Sequence, residues 1–244
     1  MKSAHAIKGR DDISRFVVHL TRDDSKSFTN GGSARKNFLS ILKQGRIGAF
    51  QSHCLFNPKL ARSKESIRKE FRVACFTETP LNQLHLLVRE IPGRSVLFQS
   101  YGFCFRKEFI IERGGQQAVY INSYGKNLWL YDAATAMFDK NTSNGLVEPD
   151  WRILPFLNAM HEKYDFSWER EWRIRGDLEF DMADVVCVVL PTEGEEKWKG
   201  LFAEMGIASI CPGWTYEEIV AELATQQRVT KERNKLAKKL EASG

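Results

Sequence analysis

The sequence lacks the features of a membrane protein, of a disulfide-stabilised protein and of a zinc protein. Its 244 residues contain no apolar run long enough to cross a bilayer. The five cysteines are odd in number and widely spaced, without a Cys-x-x-Cys pair, so we expect neither a disulfide framework nor a zinc site. The opening segment MKSAHAIKGR lacks the hydrophobic stretch of a signal peptide. These absences predict a cytoplasmic protein with no membrane contact.

Familiar catalytic motifs are missing as well. The chain has no Walker loop, no His-Glu-x-x-His and no Gly-x-Ser-x-Gly, and Gly31-Gly32 is too short a signal for dinucleotide binding. The formal net charge of +5 permits an anionic partner without requiring one. With 43% hydrophobic and 11% aromatic residues, the composition is that of a folded globular protein.

The hydrophobic pattern predicts mixed α and β structure without regular βαβ alternation, which favours an α+β fold. Short apolar runs such as FVVHLTR, RVACFT and ADVVCVVL predict strands. Ser33 and Gly45 are suited to cap a helix between them, and Thr215 with Glu218 matches a capping box. The segment DWRILPFLNAMHEKY, residues 150–164, is also predicted to be helical.

We expect a single domain over residues 1–225, followed by a basic helical tail over 226–244. The tail has few apolar residues and is expected to be solvated; a basic arm on nucleic acid or a coiled pair with a partner are the alternatives. The polar, basic segment 46–71 is interpreted as a lid or substrate loop, with its function left open.

Two short motifs are candidates for chemistry. His19 and Thr21 end the first predicted strand, where binding residues often collect. Glu169 and Glu171 would face the same side of a late strand, where like charges oppose joint ionisation unless a cation or a ligand meets them. A salt-bridged edge strand, with Arg170 or Arg173 as the cation, is the structural alternative.

The order of these motifs resembles the ADP-ribosyltransferase fold of the PARP and DarT families. In those proteins a strand ending in His-x-Thr/Ser precedes a helix like NFLSILKQGRIGA, and an aromatic strand and helix follow, as in ACFTETPLNQLHLLV. The segment EREWRIRGDLEF stands where they carry the catalytic glutamate. The resemblance implies a split mixed/antiparallel sheet core with surrounding helices and a C-terminal helix.

A second resemblance is to the AbiGi-like abortive-infection proteins of bacteria, which are associated with phage defence and with antitoxins. It rests on the blocks VACFTETPLNQLH, YGFCFRKEFI, GGQQAVYI and EREWRI. The two resemblances are compatible with one fold.

The resemblance to the transferases implies NAD as co-substrate, with no metal. Glu171 would bind the ribose 2′-hydroxyl and stabilise the oxocarbenium-like cation that forms as nicotinamide leaves. Glu169 is assigned to the acceptor or to a salt bridge. His19 would bind the adenosine ribose, the Leu20 backbone the carboxamide, and Thr21 would help to orient it.

The transferases also place a tyrosine beside the nicotinamide, but VACFTETPLNQL contains none. Phe76, as a ring without the hydroxyl, or Tyr101 would have to take its place.

Three functions follow as hypotheses. The first is a phage-defence or toxin-type transferase that moves ADP-ribose from NAD to a nucleic-acid (RNA or DNA) or protein acceptor. The second is a non-catalytic antitoxin or partner-binding protein with a cognate partner in an abortive-infection system. The third is a member of the same fold that acts on RNA phosphates.

Overall fold

The computed structural model describes residues 13–23, 32–50, 54–91, 96–160, 162, 166–226 and 235. Within these residues the strands are β1 (Phe16–Arg22), β2 (Arg46–Ile47), β3 (Val73–Thr77), β4 (Phe98–Arg106), β5 (Gln116–Gln117), β6 (Val119–Asn122), β7 (Leu157–Met160), β8 (Glu171–Arg175), β9 (Leu178–Glu179), β10 (Val185–Val189) and β11 (Ala208–Ile210).

Seven of the strands form one mixed sheet in the order β11-β10-β4-β1-β3-β8-β5. Only the β10–β11 pair is parallel; the other neighbours are antiparallel. Two small sheets flank it, an antiparallel β2–β9 pair and a parallel β6–β7 pair. A mixed sheet with helices in irregular order confirms the α+β class.

Eight α-helices accompany the sheets in the described part of the chain: α1 (Ala34–Gln44), α2 (Asn57–Leu60), α3 (Glu65–Glu70), α4 (His85–Val88), α5 (Lys107–Glu112), α6 (Trp129–Ser143), α7 (Glu196–Glu204) and α8 (216–226). Of the helices described, none is both long and apolar enough to cross a membrane. The predicted basic tail lies almost entirely outside the described residues.

Local sequence signals placed several helix ends correctly. The Ser33 hydroxyl accepts a hydrogen bond from the Lys36 backbone N–H, and Gly45 ends α1 at φ 60°, a left-handed conformation that suits glycine. Thr215 and Glu218 make the reciprocal bonds of a capping box at the start of α8.

The prediction of a helix over residues 150–164 is confirmed in part for its first half and wrong for 157–160, whereas 161, 163 and 164 lie outside the described residues. A 3₁₀ helix spans Pro149–Phe156, and β7 follows it directly, paired in parallel with β6. Pro155 has no N–H to donate and disfavours a helical conformation in the residue before it, so an α-helix does not continue through this segment. Residues 157–160 have a helical apolar spacing, but they are extended because their backbone pairs with β6.

The main sheet is split between β1 and β3. These strands share one registered pair, Val18 with Thr77, whereas β1 pairs with β4 at six positions. At the start of β3, Val73 exchanges both backbone hydrogen bonds with Phe50 instead. Beyond Val18, therefore, β1 and β3 no longer pair through their backbones.

The sheet buries a different core on each face. One face packs against α1, α5 and α7 through an aromatic-rich cluster that includes Phe38, Phe103 and Phe202. The other face is covered in two parts, by α4 and α8 below β1, β4 and β10, and by a separate cluster of α2, α6 and the 3₁₀ helix beside β8.

Candidate functional site

Glu171 begins β8 and lies on the same face of the sheet as Arg173, because side chains two apart on a strand share a face. Arg173 donates twice to its carboxylate, from Nε to Oε1 at 2.9 Å and from Nη2 to Oε2 at 2.7 Å. The Arg173 side chain is fully buried, whereas that of Glu171 is 13% exposed. The arginine thus fixes the orientation of a carboxylate that solvent still reaches.

Arg173 is held by a third contact as well. Its Nη1 donates to the Pro155 carbonyl oxygen at 2.8 Å, which joins the main sheet to the 3₁₀ helix before β7. Burial acts against its charged form, but the neighbouring Glu171 carboxylate outweighs that effect and the pKa of Arg173 is raised. β8 lies between β3 and β5, so this is an ion pair inside the sheet and not on an edge strand.

The small β6–β7 sheet supplies two more polar groups to the same carboxylate. Tyr120 and Asn158 are cross-strand partners there. The Tyr120 hydroxyl and the Asn158 amide donate to Oε2 of Glu171 at 3.5 Å and 3.3 Å. Burial, and then the negative charges of Glu171 and Glu169, raise the pKa of Tyr120, so its hydroxyl stays protonated and acts as a donor at neutral pH.

A thiol completes the group that we call the Glu171 cluster, namely Glu171, Arg173, Tyr120, Asn158 and Cys75. Cys75 is the cross-strand partner of Arg173 on β3. Burial, and next the Glu171 carboxylate, raise the pKa of the Cys75 thiol well above its usual value. The thiol is therefore protonated at neutral pH and is no nucleophile.

His19 closes the split from the side of β1. Its Nδ1 lies 2.8 Å from the Cys75 carbonyl oxygen, and since a carbonyl only accepts, we assign the proton to Nδ1. Burial lowers the pKa of His19, so the ring is neutral at pH 7 with Nε2 as an acceptor. The ring thus bridges β1 and β3 at the point where their backbone pairing ends.

His19 and Glu171 point to opposite faces of the sheet. The pairs Val18–Thr77 and Thr77–Glu171 place those three side chains on one face. His19 follows Val18 and faces the other side, where its ring meets Phe76 with centroids 5.8 Å apart. The strands of His19, Phe76 and Glu171 are therefore neighbours in the sheet. The side chains of His19 and Phe76 lie on one face, and that of Glu171 lies on the other.

The other predicted binding residues lie near the split but are largely occupied. Leu20 and Thr21 are buried, and the Thr21 hydroxyl bonds the carbonyl oxygens of Ala34 at 2.8 Å and Tyr101 at 3.2 Å. Tyr101 donates its own hydroxyl to Glu195 at 2.8 Å. Burial and this bond raise the pKa of Tyr101 to about 12.

The expectation that Glu169 and Glu171 share a strand face is wrong. Glu169 ends a 3₁₀ turn before β8, and Arg170 between the two glutamates is left-handed at φ 46°. This breaks the alternation that the expectation assumed. The backbone oxygen of Glu169 accepts a 2.6 Å bond from the Thr77 hydroxyl, and its side chain is near enough to Tyr120 to raise the pKa of that residue.

A second buried carboxylate, Glu78, directly follows β3. It is 3% exposed and lies on the face opposite the Glu171 cluster. Its partners are Lys107 Nζ at 2.7 Å, Trp172 Nε1 at 2.7 Å and Gln117 Nε2 at 3.1 Å. The sequence signal for the burial of Glu78 was its position next to an apolar strand. Its hydrogen-bonding partners come from distant segments and carry no such signal.

Among the residues that the structure describes, no group of three or more His, Cys, Asp or Glu side chains is placed to hold a metal ion. Comparison of the chain with protein-family models, with curated proteins and with solved structures finds no match.

Proposed function

We propose that this protein is an NAD-dependent ADP-ribosyltransferase of the phage-defence or toxin type, with Glu171 as its catalytic carboxylate. The observation that carries the proposal is the strand order. The strands of His19, Phe76 and Glu171 are consecutive neighbours in a sheet whose first two strands share one registered pair. The resemblance to the transferases implies a split mixed sheet, and the proposal is supported by the meeting of these three segments, far apart in sequence, in one mixed sheet.

The proposed chemistry needs a fixed negative charge beside a ribose. The bond from the nicotinamide nitrogen to ribose C1′ breaks with its electron pair on nicotinamide, and an acceptor oxygen or nitrogen then forms the new bond to C1′ and releases its proton to water. Positive charge builds up on the ribose between these events. A carboxylate already oriented by Arg173 stabilises that charge without reorganising.

The opposite directions of His19 and Glu171 constrain how NAD would bind. In this proposal NAD lies across the place where β1 and β3 cease to pair, with the nicotinamide ribose at Glu171. His19 contributes Nε2, because its Nδ1 is engaged with the Cys75 carbonyl. Thr21 contributes through its position in β1, since its hydroxyl proton is directed at backbone carbonyls.

The non-catalytic alternative has an observation of its own. Both oxygens of Glu171 are bonded to a fully buried arginine, and three further groups of the Glu171 cluster surround them. A carboxylate that only neutralises Arg173 would look the same. In that case the protein binds a cognate toxin or antitoxin partner and performs no transfer.

The deciding experiment is nicotinamide release and label transfer from adenine-labelled NAD, with lysate protein, RNA and DNA as acceptors. We expect Glu171→Gln to lower the rate on the order of 100-fold or more, as for loss of one electrostatic contact to a transition state. Glu169→Gln is the matched control and should be milder. Both rates are measured where circular dichroism shows the variant folded.

Absence of NAD binding by the parent protein at millimolar concentration, together with no release of nicotinamide, would refute the transferase proposal and favour the partner-binding protein. Transfer by Glu171→Gln at the parental rate would leave the activity but overturn the assignment of the carboxylate.

A further inference from the structure

A basic segment outside the Glu171 cluster has no role in the proposed transfer. Residues 57–72, which contain α2 and α3, hold six Lys or Arg and two Glu, a net charge of +4 in a chain whose total is +5. This short surface segment thus carries a strong local excess of positive charge, equal to that of the tail over residues 226–244, which also has six Lys or Arg and two Glu. A local concentration of this kind is the electrostatic footprint of an anionic partner.

This segment forms one wall of a groove about 730 Å³ in volume. Arg62, Lys64 and Ser66 line that wall, and Thr142 and Ser143 at the end of α6 line the other. Trp151, which is buried, closes the floor. The groove is concave, and its charged and hydroxyl side chains share the lining with Ile67, Leu146 and Trp151.

The charges inside the groove do not cancel. Its two carboxylates already have cationic partners, Asp139 with Lys59 at 2.6 Å and Glu70 with Arg175 at 2.8 Å. Arg62 and Lys64 are exposed, and no acidic side chain in the described part of the chain pairs with either. Two uncompensated cations therefore face the groove.

The available hydrogen-bond donors are those that a phosphate needs. The Thr142 and Ser143 hydroxyls donate to helix carbonyls and so present only acceptor capacity to a ligand. Arg62, Lys64 and Ser66 remain as donors, and an arginine fork with a lysine point charge is a common pairing on phosphate oxygens. A chain of phosphodiesters places successive negative charges along the groove, which an isolated carboxylate or an apolar peptide does not.

We propose that the groove between α3 and the end of α6 binds the phosphate backbone of a single-stranded nucleic acid. The contacts are made to the backbone and carry no base specificity, because Trp151, the aromatic side chain in the lining, is largely buried and offers little ring face for stacking. This inference does not depend on Glu171 or on transfer from NAD.

The test is fluorescence anisotropy of a labelled 20-nucleotide single strand, as RNA and as DNA in separate arms, titrated with the full chain at several salt concentrations. The variant is Arg62→Glu with Lys64→Glu. Both residues are exposed and unpaired, so the fold should be unaffected. The matched control is Lys36→Glu with Lys43→Glu, which changes the net charge equally on the exposed surface of α1.

We expect the parent to bind with a salt-dependent affinity. The groove variant should bind on the order of tenfold more weakly at low salt, with a slope of log affinity against log salt shallower by about 1.4, twice the roughly 0.7 expected for each phosphate contact on a single strand. The control should stay near the parent.

Equal loss in the groove variant and in the control would show that general charge, and not the groove, attracts the strand, and would overturn the proposal. So would parental affinity in the groove variant, or absence of binding by the parent. Binding of the parent to phosphatidylserine vesicles but to neither oligonucleotide would assign the segment to a membrane surface instead.

Discussion

Loss of the Glu171 carboxylate should destabilise the fold as well as stop any reaction that it performs. In Glu171→Gln, the amide leaves the guanidinium of Arg173 without a compensating charge, and that guanidinium is 0% exposed. Removing one partner of a buried ion pair typically costs about 3–5 kcal/mol in unfolding free energy. Domains are commonly stable by only about 5–15 kcal/mol, so the variant should lose a large fraction of the total.

The measurement is urea unfolding followed by tryptophan fluorescence, since Trp172 lies between the two residues of the pair in sequence. Adding Arg173→Met to Glu171→Gln removes the stranded charge, so the double variant should be more stable than the sum of the two single changes by at least about 1 kcal/mol. Asp150→Asn, which disrupts an exposed pair with Lys140, is the control and should cost less than about 1 kcal/mol.

A Glu171→Gln variant within about 1 kcal/mol of the parent would refute this reasoning, because Arg173 would then not need the carboxylate for its burial. The same result would simplify the activity test, since a loss of transfer could no longer be assigned to partial unfolding.

Further predictions concern other buried groups. Cys104 and Cys187 are cross-strand partners with 0% exposure, and burial raises the pKa of the Cys104 thiol well above its usual value, so both should resist a thiol reagent until the protein unfolds. Hydrogen bonds from an arginine and a tyrosine lower the pKa of Glu195 from 4.5. The contribution of the Glu195 carboxylate to stability should therefore be complete at neutral pH and be lost as the pH falls below 4.5. Glu195→Gln should remove this pH dependence from the profile of thermal unfolding. Gly102→Ala would place a Cβ 2.5 Å from the His19 carbonyl oxygen. Calorimetry should show a loss of about 1–3 kcal/mol in unfolding free energy. Unchanged stability would mean that β1 and β4 can move apart without cost.

Sequence reasoning succeeded where structure is decided by neighbours in the chain. The α1 helix was predicted from an apolar spacing between Ser33 and Gly45, and both caps act within a few residues of themselves. The segment 150–164 shows the opposite case. Its apolar residues do have a helical spacing. However, β6 supplies backbone hydrogen-bond partners from more than thirty residues away in sequence, and Pro155 disfavours the alternative α-helix.

The Glu171–Arg173 ion pair of the candidate site could be predicted from the sequence, but the residues that contact it from other segments could not. Glu171 and the alternative partner Arg173 are two residues apart, so strand periodicity suffices to place them together. Tyr120 and Asn158 come from a separate small sheet, whose docking beside β8 depends on the core of α2 and α6. The backbone conformation of one residue also matters, because the left-handed Arg170 directs Glu169 away from the strand.

The two oxygens of Glu171 offer a way to separate catalysis from structure. Oε1 accepts from Arg173 Nε, whereas Oε2 accepts from Arg173 at 2.7 Å and also, at the longer distances of 3.3 Å and 3.5 Å, from Asn158 and Tyr120. Hydrogen bonds this long are weak, and a ribose hydroxyl can replace them while both arginine contacts stay in place. The arginine therefore accounts for the stability of the carboxylate, and the β6–β7 side is where a substrate would meet it. If Glu171 only neutralises Arg173, the contacts from Asn158 and Tyr120 are never exchanged; if it also meets a ribose, the ligand would reach it through the 13% of its side chain that is exposed to solvent.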